Sequence, residues 1–184
     1  MNRIELETKL NRDRAWLLET YATLSAEDLE RGVTPSEHDA ANLWSAKDHL
    51  VHLALIEFNF ARMVRRHVAG EANPVGLTHD ASGRERPRDE IMASVHLMTE
   101  EWQKKHAAKS LSEVVAIGQE ARAETLKLVS ELTDAQIEEK LPGAPWADGT
   151  IGGVLGANAD HGRMHWHWAK EGFEKMGLAV PSGS

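Results

Sequence analysis

Apolar residues recur at helical spacing along nearly the whole chain. Leu6, Leu10, Leu17, Tyr21 and Leu24 fall on one face and predict an amphipathic helix from about Arg3 to Leu24. Ser25-Ala26-Glu27-Asp28 is a start signal for a short helical turn, closed by Gly32, and Thr34 to Asn42 reads as a loop. Ser45-Ala46-Lys47-Asp48 resembles a capping box with Asp in the last position. A second long helix therefore begins at Ser45 and continues through Leu53, Ile56, Phe60 and Val64 to about Val68. Gly70 to Pro87 holds three glycines and two prolines and reads as a long loop. Pro87 suits the first turn of the next helix, which Ile91, Val95, Met98 and Trp102 support. Ser110-Leu111-Ser112-Glu113 opens a further helix with Val114, Ile117, Ala121, Leu128 and Leu132 on one stripe. Thr133-Asp134-Ala135-Gln136 starts a short helix ending near Leu141. After the turn-rich stretch Pro142–Gly149, Thr150 caps a last helix running to about Gly172.

This pattern implies an all-α protein: a four-helix bundle with an additional helix after the second and short connecting helices. No alternating β-branched run suggests a sheet, and there is no internal repeat. Residues 1–176 read as one helical domain and 177–184 as a disordered tail. Gly152, Gly153, Gly156 and Gly162 each cost the last helix about 1 kcal/mol relative to Ala. That cost points to close helix approach, or to a gap left for something bound, with close packing the preferred reading.

With 184 residues the chain is long enough for a sizeable core, and with no cysteine it has neither disulfides, thiolate metal sites nor a thiol nucleophile. A net charge of −8 argues against a nucleic-acid partner. The basic clusters Arg62/Arg65/Arg66 and Arg84/Arg86/Arg88 read as a solvated helix end and a loop with acidic neighbours. No stretch is apolar enough to span a membrane, and Met1 to Leu10 lacks the apolar core of a signal peptide, so a cytoplasmic location is expected.

Ten histidines make position the deciding question. His161 and His165 stand one turn apart on one helix face, shared with Val154, Asn158 and Trp168, so that face is expected to turn inward. Two imidazoles so held can bind one cation, and a third from a neighbouring helix gives a His₃ set with a position left open. His52 and His49, one turn apart, both qualify as the third, and periodicity does not decide between them. His161 is followed by Gly162, so the pair is no H-E-x-x-H motif, and no Glu-x-x-His of a di-iron bundle occurs. What survives is a mononuclear site suited to Zn²⁺, Ni²⁺ or Fe²⁺. His167 faces elsewhere, and His38, His67, His79, His96 and His106 have no evident partner. Asn158 reads as an ordinary polar contact, Glu57 as a solvated carboxylate, and Trp44 and Trp166 as core or interface anchors.

Trp44-Ser45 with His52 eight residues after the Trp, then His161-x-x-x-His165, and the Leu128–Leu141 segment together resemble the DinB/YfiT-like superfamily, over roughly Arg3 to Gly172. The resemblance implies a bundle with a divalent metal held near one end by His52, His161 and His165. It also selects His52 over His49. It further implies a small-molecule substrate, a homodimer, and metal-dependent chemistry with low-molecular-weight thiols, as in thiol S-transferases and the mycothiol-dependent maleylpyruvate isomerase. That isomerase is similar in its bundle alone and carries a further C-terminal domain. The helix after Pro87 looks like an insertion able to reshape the pocket. Together these readings make the chain a metal-dependent enzyme that activates a thiol or water against a small electrophile; a non-catalytic interaction or stress-response bundle is the alternative.

Overall fold

The computed structural model describes residues 1–80 and 82–180, so the last four residues of the expected tail lie outside the described residues. Four long helices form the bundle: α1 (Arg3–Ala22), α3 (Ala46–Val68), α5 (Leu111–Glu131) and α7 (Ile151–Lys175). The short helices α2 (Ala26–Glu30) and α6 (Asp134–Glu138) sit in connections, and α4 (Arg88–His106) is the additional helix, packed on α3. Among the described residues the chain is all-α apart from one small hairpin that the hydrophobic pattern did not announce. In it β1 (Gly32–Pro35) pairs antiparallel with β2 (Leu43–Ser45), bringing Thr34 opposite Trp44.

Helix starts follow local hydrogen-bonding chemistry. Ser45 accepts from the Asp48 backbone N–H while the Asp48 carboxylate accepts from the Ser45 N–H, a complete capping box that begins α3 on the helical stripe carrying His49 and His52. Ser110 and Glu113 do the same for α5, and Thr150 caps α7 through the Gly153 N–H. Pro87 stands at the N-cap of α4 rather than inside its first turn, and α7 runs one turn beyond the expected end, to Lys175.

The core divides into two clusters. One gathers Leu6, Leu10, Phe60, Leu128, Ile151 and Val154; the other gathers Leu17, Tyr21, Leu50, Leu53 and Trp166. Close packing explains the glycines of α7 where the backbone is crowded. A Cβ on Gly172 would stand 2.5 Å from the Val33 carbonyl oxygen, and one on Gly152 2.6 Å from Ile137. Gly172 thus lets β1 lie directly on the C-terminal part of α7.

Between the two clusters runs a buried polar network. Arg122 of α5 donates to both Glu57 oxygens on α3, at 2.5 and 3.3 Å, and to the Leu10 carbonyl of α1, while Asn158 of α7 donates to Glu57 at 3.1 Å. Glu57 is 3% exposed, so it is no solvated carboxylate as its sequence context suggested. Asn158, expected to share the histidine face, turns into this network instead. The arginine clusters behave as expected for surface charges: Arg66 pairs with Glu71, and Arg84 and Arg86 with Glu90.

Candidate metal centre

α3 and α7 run antiparallel, because β2 leads into α3 while its partner β1 lies on the C-terminal end of α7. Their facing stripes bring His52, His161 and His165 together. One ring nitrogen from each lies within 4.8 Å of the other two. The Nε2 atoms of His161 and His165 stand 2.9 Å apart, and the rings of His52 and His165 have centroids 4.6 Å apart.

Burial settles the protonation of these rings. It pushes the His52 pKa down to about 3, with neighbouring His161 and His49 adding to the effect, and that of His161 down to about 4. His165 is held well below the usual histidine range for the same reason. At neutral pH all three are therefore uncharged and keep a lone pair, the state a metal ligand needs. No carboxylate joins them, and the buried Nδ1 of His52 has no hydrogen-bond partner among the described residues. Converging neutral imidazoles with an unsatisfied buried nitrogen fit a divalent transition metal of the Zn²⁺, Ni²⁺ or Fe²⁺ type.

His49 stands beside the triad. Its Nδ1 lies 2.8 Å from Nδ1 of His165, on the opposite edge of that ring from Nε2. For His165 to offer an Nε2 lone pair, its proton must sit on Nδ1, and His49 Nδ1 then accepts it. Burial also lowers the His49 pKa, to about 4, so this acceptor stays neutral. The two candidates for the third ligand are thus placed apart: His52 in the triad, His49 behind His165.

The triad opens into a cavity of about 790 Å³. Trp44, expected to be a core or interface anchor, is buried and packs against His49 and His52 with ring centroids 5.6 and 5.4 Å away. Trp168 meets His165 edge-on at 4.8 Å. The roof comes from α4, through Met92, Val95, His96 and Thr99, so the additional helix does shape the pocket. Trp102 and Gln103 fasten α4 down, donating to the Val51 carbonyl and to Asp48. His96, which sequence gave no partner, lines the cavity with Nε2 3.0 Å from a Glu37 oxygen. That approach, which forms no hydrogen bond, is visible only once α4 folds over the hairpin loop. His167 points away and pairs with Glu171 on the surface.

The arrangement can hold one cation against three neutral nitrogens and leave its remaining coordination facing a large, mostly apolar space. No curated protein matches the chain. It is similar to the crystal structure of an uncharacterised protein from Escherichia coli UTI89, with TM-score 0.60 and 17% identity over 97% of this chain and 96% of that one, which shows a shared fold alone. A family model for the DinB superfamily matches residues 37–169, a span holding the whole triad, and the chain belongs to that superfamily.

Proposed function

We propose that this protein is a metal-dependent enzyme acting on a small electrophilic molecule. The observation that supports it is the convergence of His52, His161 and His165 on one point at the wall of a cavity large enough for a substrate. His52, His161 and His165 would hold a divalent metal, whose Lewis acidity would lower the pKa of a bound water or thiol so that a nucleophile is available near neutral pH. The protein's own part is to keep the three imidazoles neutral by burial, to fix the His165 tautomer through His49, and to cover one side of the site with α4. S-transfer or hydrolysis then depends on which nucleophile enters. Glu57, engaged by Arg122 and Asn158, is not free to serve as a general base.

Elemental analysis of protein purified without a histidine tag tests this reading. We expect close to one equivalent of a transition metal in the parent and loss of it in His52→Ala and His161→Ala. A parent that stays metal-free after incubation with Zn²⁺, Ni²⁺ and Fe²⁺ would leave an interaction bundle as the better account.

A further inference from the structure

The two halves of α4 are attached to the fold in different ways. Residues 99–106 are seated by buried groups, with Thr99, Glu100, Gln103 and His106 all out of solvent. Glu100 accepts from Ser36 Oγ at 2.6 Å and from Asn42 Nδ2 at 2.7 Å, which fastens it to the hairpin loop. Trp102 and Gln103 donate to the Val51 carbonyl at 2.9 Å and to Asp48 at 2.8 Å, in the first turns of α3. Trp102 also packs against one of the two core clusters.

Residues 88–98 have no such seat. None of them is buried, and neither core cluster takes in one of them. Met92 and Leu97 stay 40% and 44% exposed. Glu90 and Ser94 bond to Arg84 and Arg86, which precede the helix rather than belong to the bundle, and such exposed pairs contribute little. Among the described residues, the side-chain hydrogen bond joining this half to the bundle runs from Asn59 Nδ2 to the Met98 sulfur at 3.7 Å, a weak acceptor. His96 approaches Glu37 without hydrogen-bonding it. The seated position therefore buries His96 Nε2 unpartnered, a cost that opening would relieve.

Little buried apolar surface and few bonds to the rest of the fold are the marks of a segment that opens by itself. The same half supplies Met92, Val95 and His96 to the lining of the cavity beside the triad. We propose that residues 88–98 are a hinged cover of this cavity, opening and reseating about Thr99 while residues 99–106 stay fixed, and that molecules reach the cavity through that opening. The fixed half meanwhile keeps its hold on Asp48 and Val51, and so on the stretch of α3 that carries His49 and His52.

Hydrogen exchange read by mass spectrometry, on the protein as purified, tests the motion. Residues 88–90 are set aside, since the first N–H groups of a helix lack helical acceptors. Corrected for intrinsic rates, the amides of residues 92–98 are expected to be at least about tenfold less protected than those of residues 100–106. Ala93 is exposed, so Ala93→Gly weakens the helix and touches little else; it should speed exchange in residues 92–98 about fivefold. Ala123→Gly, at an exposed position of α5, costs its own helix as much and should leave those amides unchanged. A chain without cysteine also accepts a single reporter thiol. Ala157→Cys puts that thiol on the cavity lining, and its labelling by fluorescein maleimide should quicken about fivefold with Ala93→Gly and not with Ala123→Gly. Equal protection of the two halves of α4 overturns the proposal. So does labelling that ignores Ala93→Gly, or that follows Ala123→Gly as strongly, which would mark opening of the whole bundle. The comparison within α4 needs no variant, so an Ala157→Cys protein that fails to fold does not rescue it. Neither readout involves a metal, so failure here and failure of the enzyme reading are told apart.

Discussion

Replacing His49 by Leu removes the acceptor behind His165 while leaving all three triad nitrogens in place. Outer partners of metal-bound histidines typically matter by about 10–100-fold in affinity. We therefore expect His49→Leu to weaken metal binding by roughly that factor, read by competition with a chromogenic chelator, while still taking up one equivalent at saturating metal. His49→Gln, whose side-chain carbonyl can accept a hydrogen bond, should recover part of the loss; a merely space-filling role would instead favour Leu. The spacing of His161 and His165 made their shared face readable from sequence, because a helix puts positions one turn apart together. His49 and His52 were not separable in that way. Both lie on the cavity side of α3, and only the position of α7 decides which meets the pair and which stands behind it.

Four bundle helices meet at the Glu57–Arg122 pair, with the Leu10 carbonyl and Asn158 as its further partners. Truncating one member of a buried ion pair leaves the other charge without compensation, an effect of about 3–5 kcal/mol. Arg122→Ala should accordingly lower stability by about that much in urea unfolding, whereas the double replacement Glu57→Leu with Arg122→Met should lose less than Arg122→Ala alone. Helix boundaries were legible because caps are local: Ser45 with Asp48, Ser110 with Glu113, and Thr150 each announce a start within four residues. The partner of Glu57 was not legible, because Arg122 lies on another helix and nothing near Glu57 marks it as buried. The β1–β2 hairpin escaped for a different reason. Its strands are four and three residues long, too short for alternation to show.

Across the molecule, the buried histidines tie stability to pH. In the unfolded chain they titrate near the ordinary value of about 6.5. In the folded chain His49 and His161 titrate near about 4 and His52 near about 3, so the unfolded state binds protons first as pH falls. The stability they confer is full above the unfolded value and is lost as pH drops through the folded values. Metal-free protein should thus show a falling Tm from about pH 6.5 downward, before most carboxylates protonate, while the metal affinity of the folded protein should hold until the pH nears the folded values of about 4 and below. Thermal melts at pH 7.5, 6 and 5 check this; a flat profile there would mean the rings are more hydrated than their burial indicates. The arrangement of the cavity has a further consequence. The triad is carried by two core helices, while much of the wall that would choose a ligand comes from α4, the β1 loop and the turn holding Trp146. Reactivity and selectivity are thus written largely on separate stretches of chain. Exchanging residues 70–106 for a segment of different shape should retarget the protein without rebuilding its reactive centre, provided the seats that Val51 and Asp48 offer to the roof are still filled.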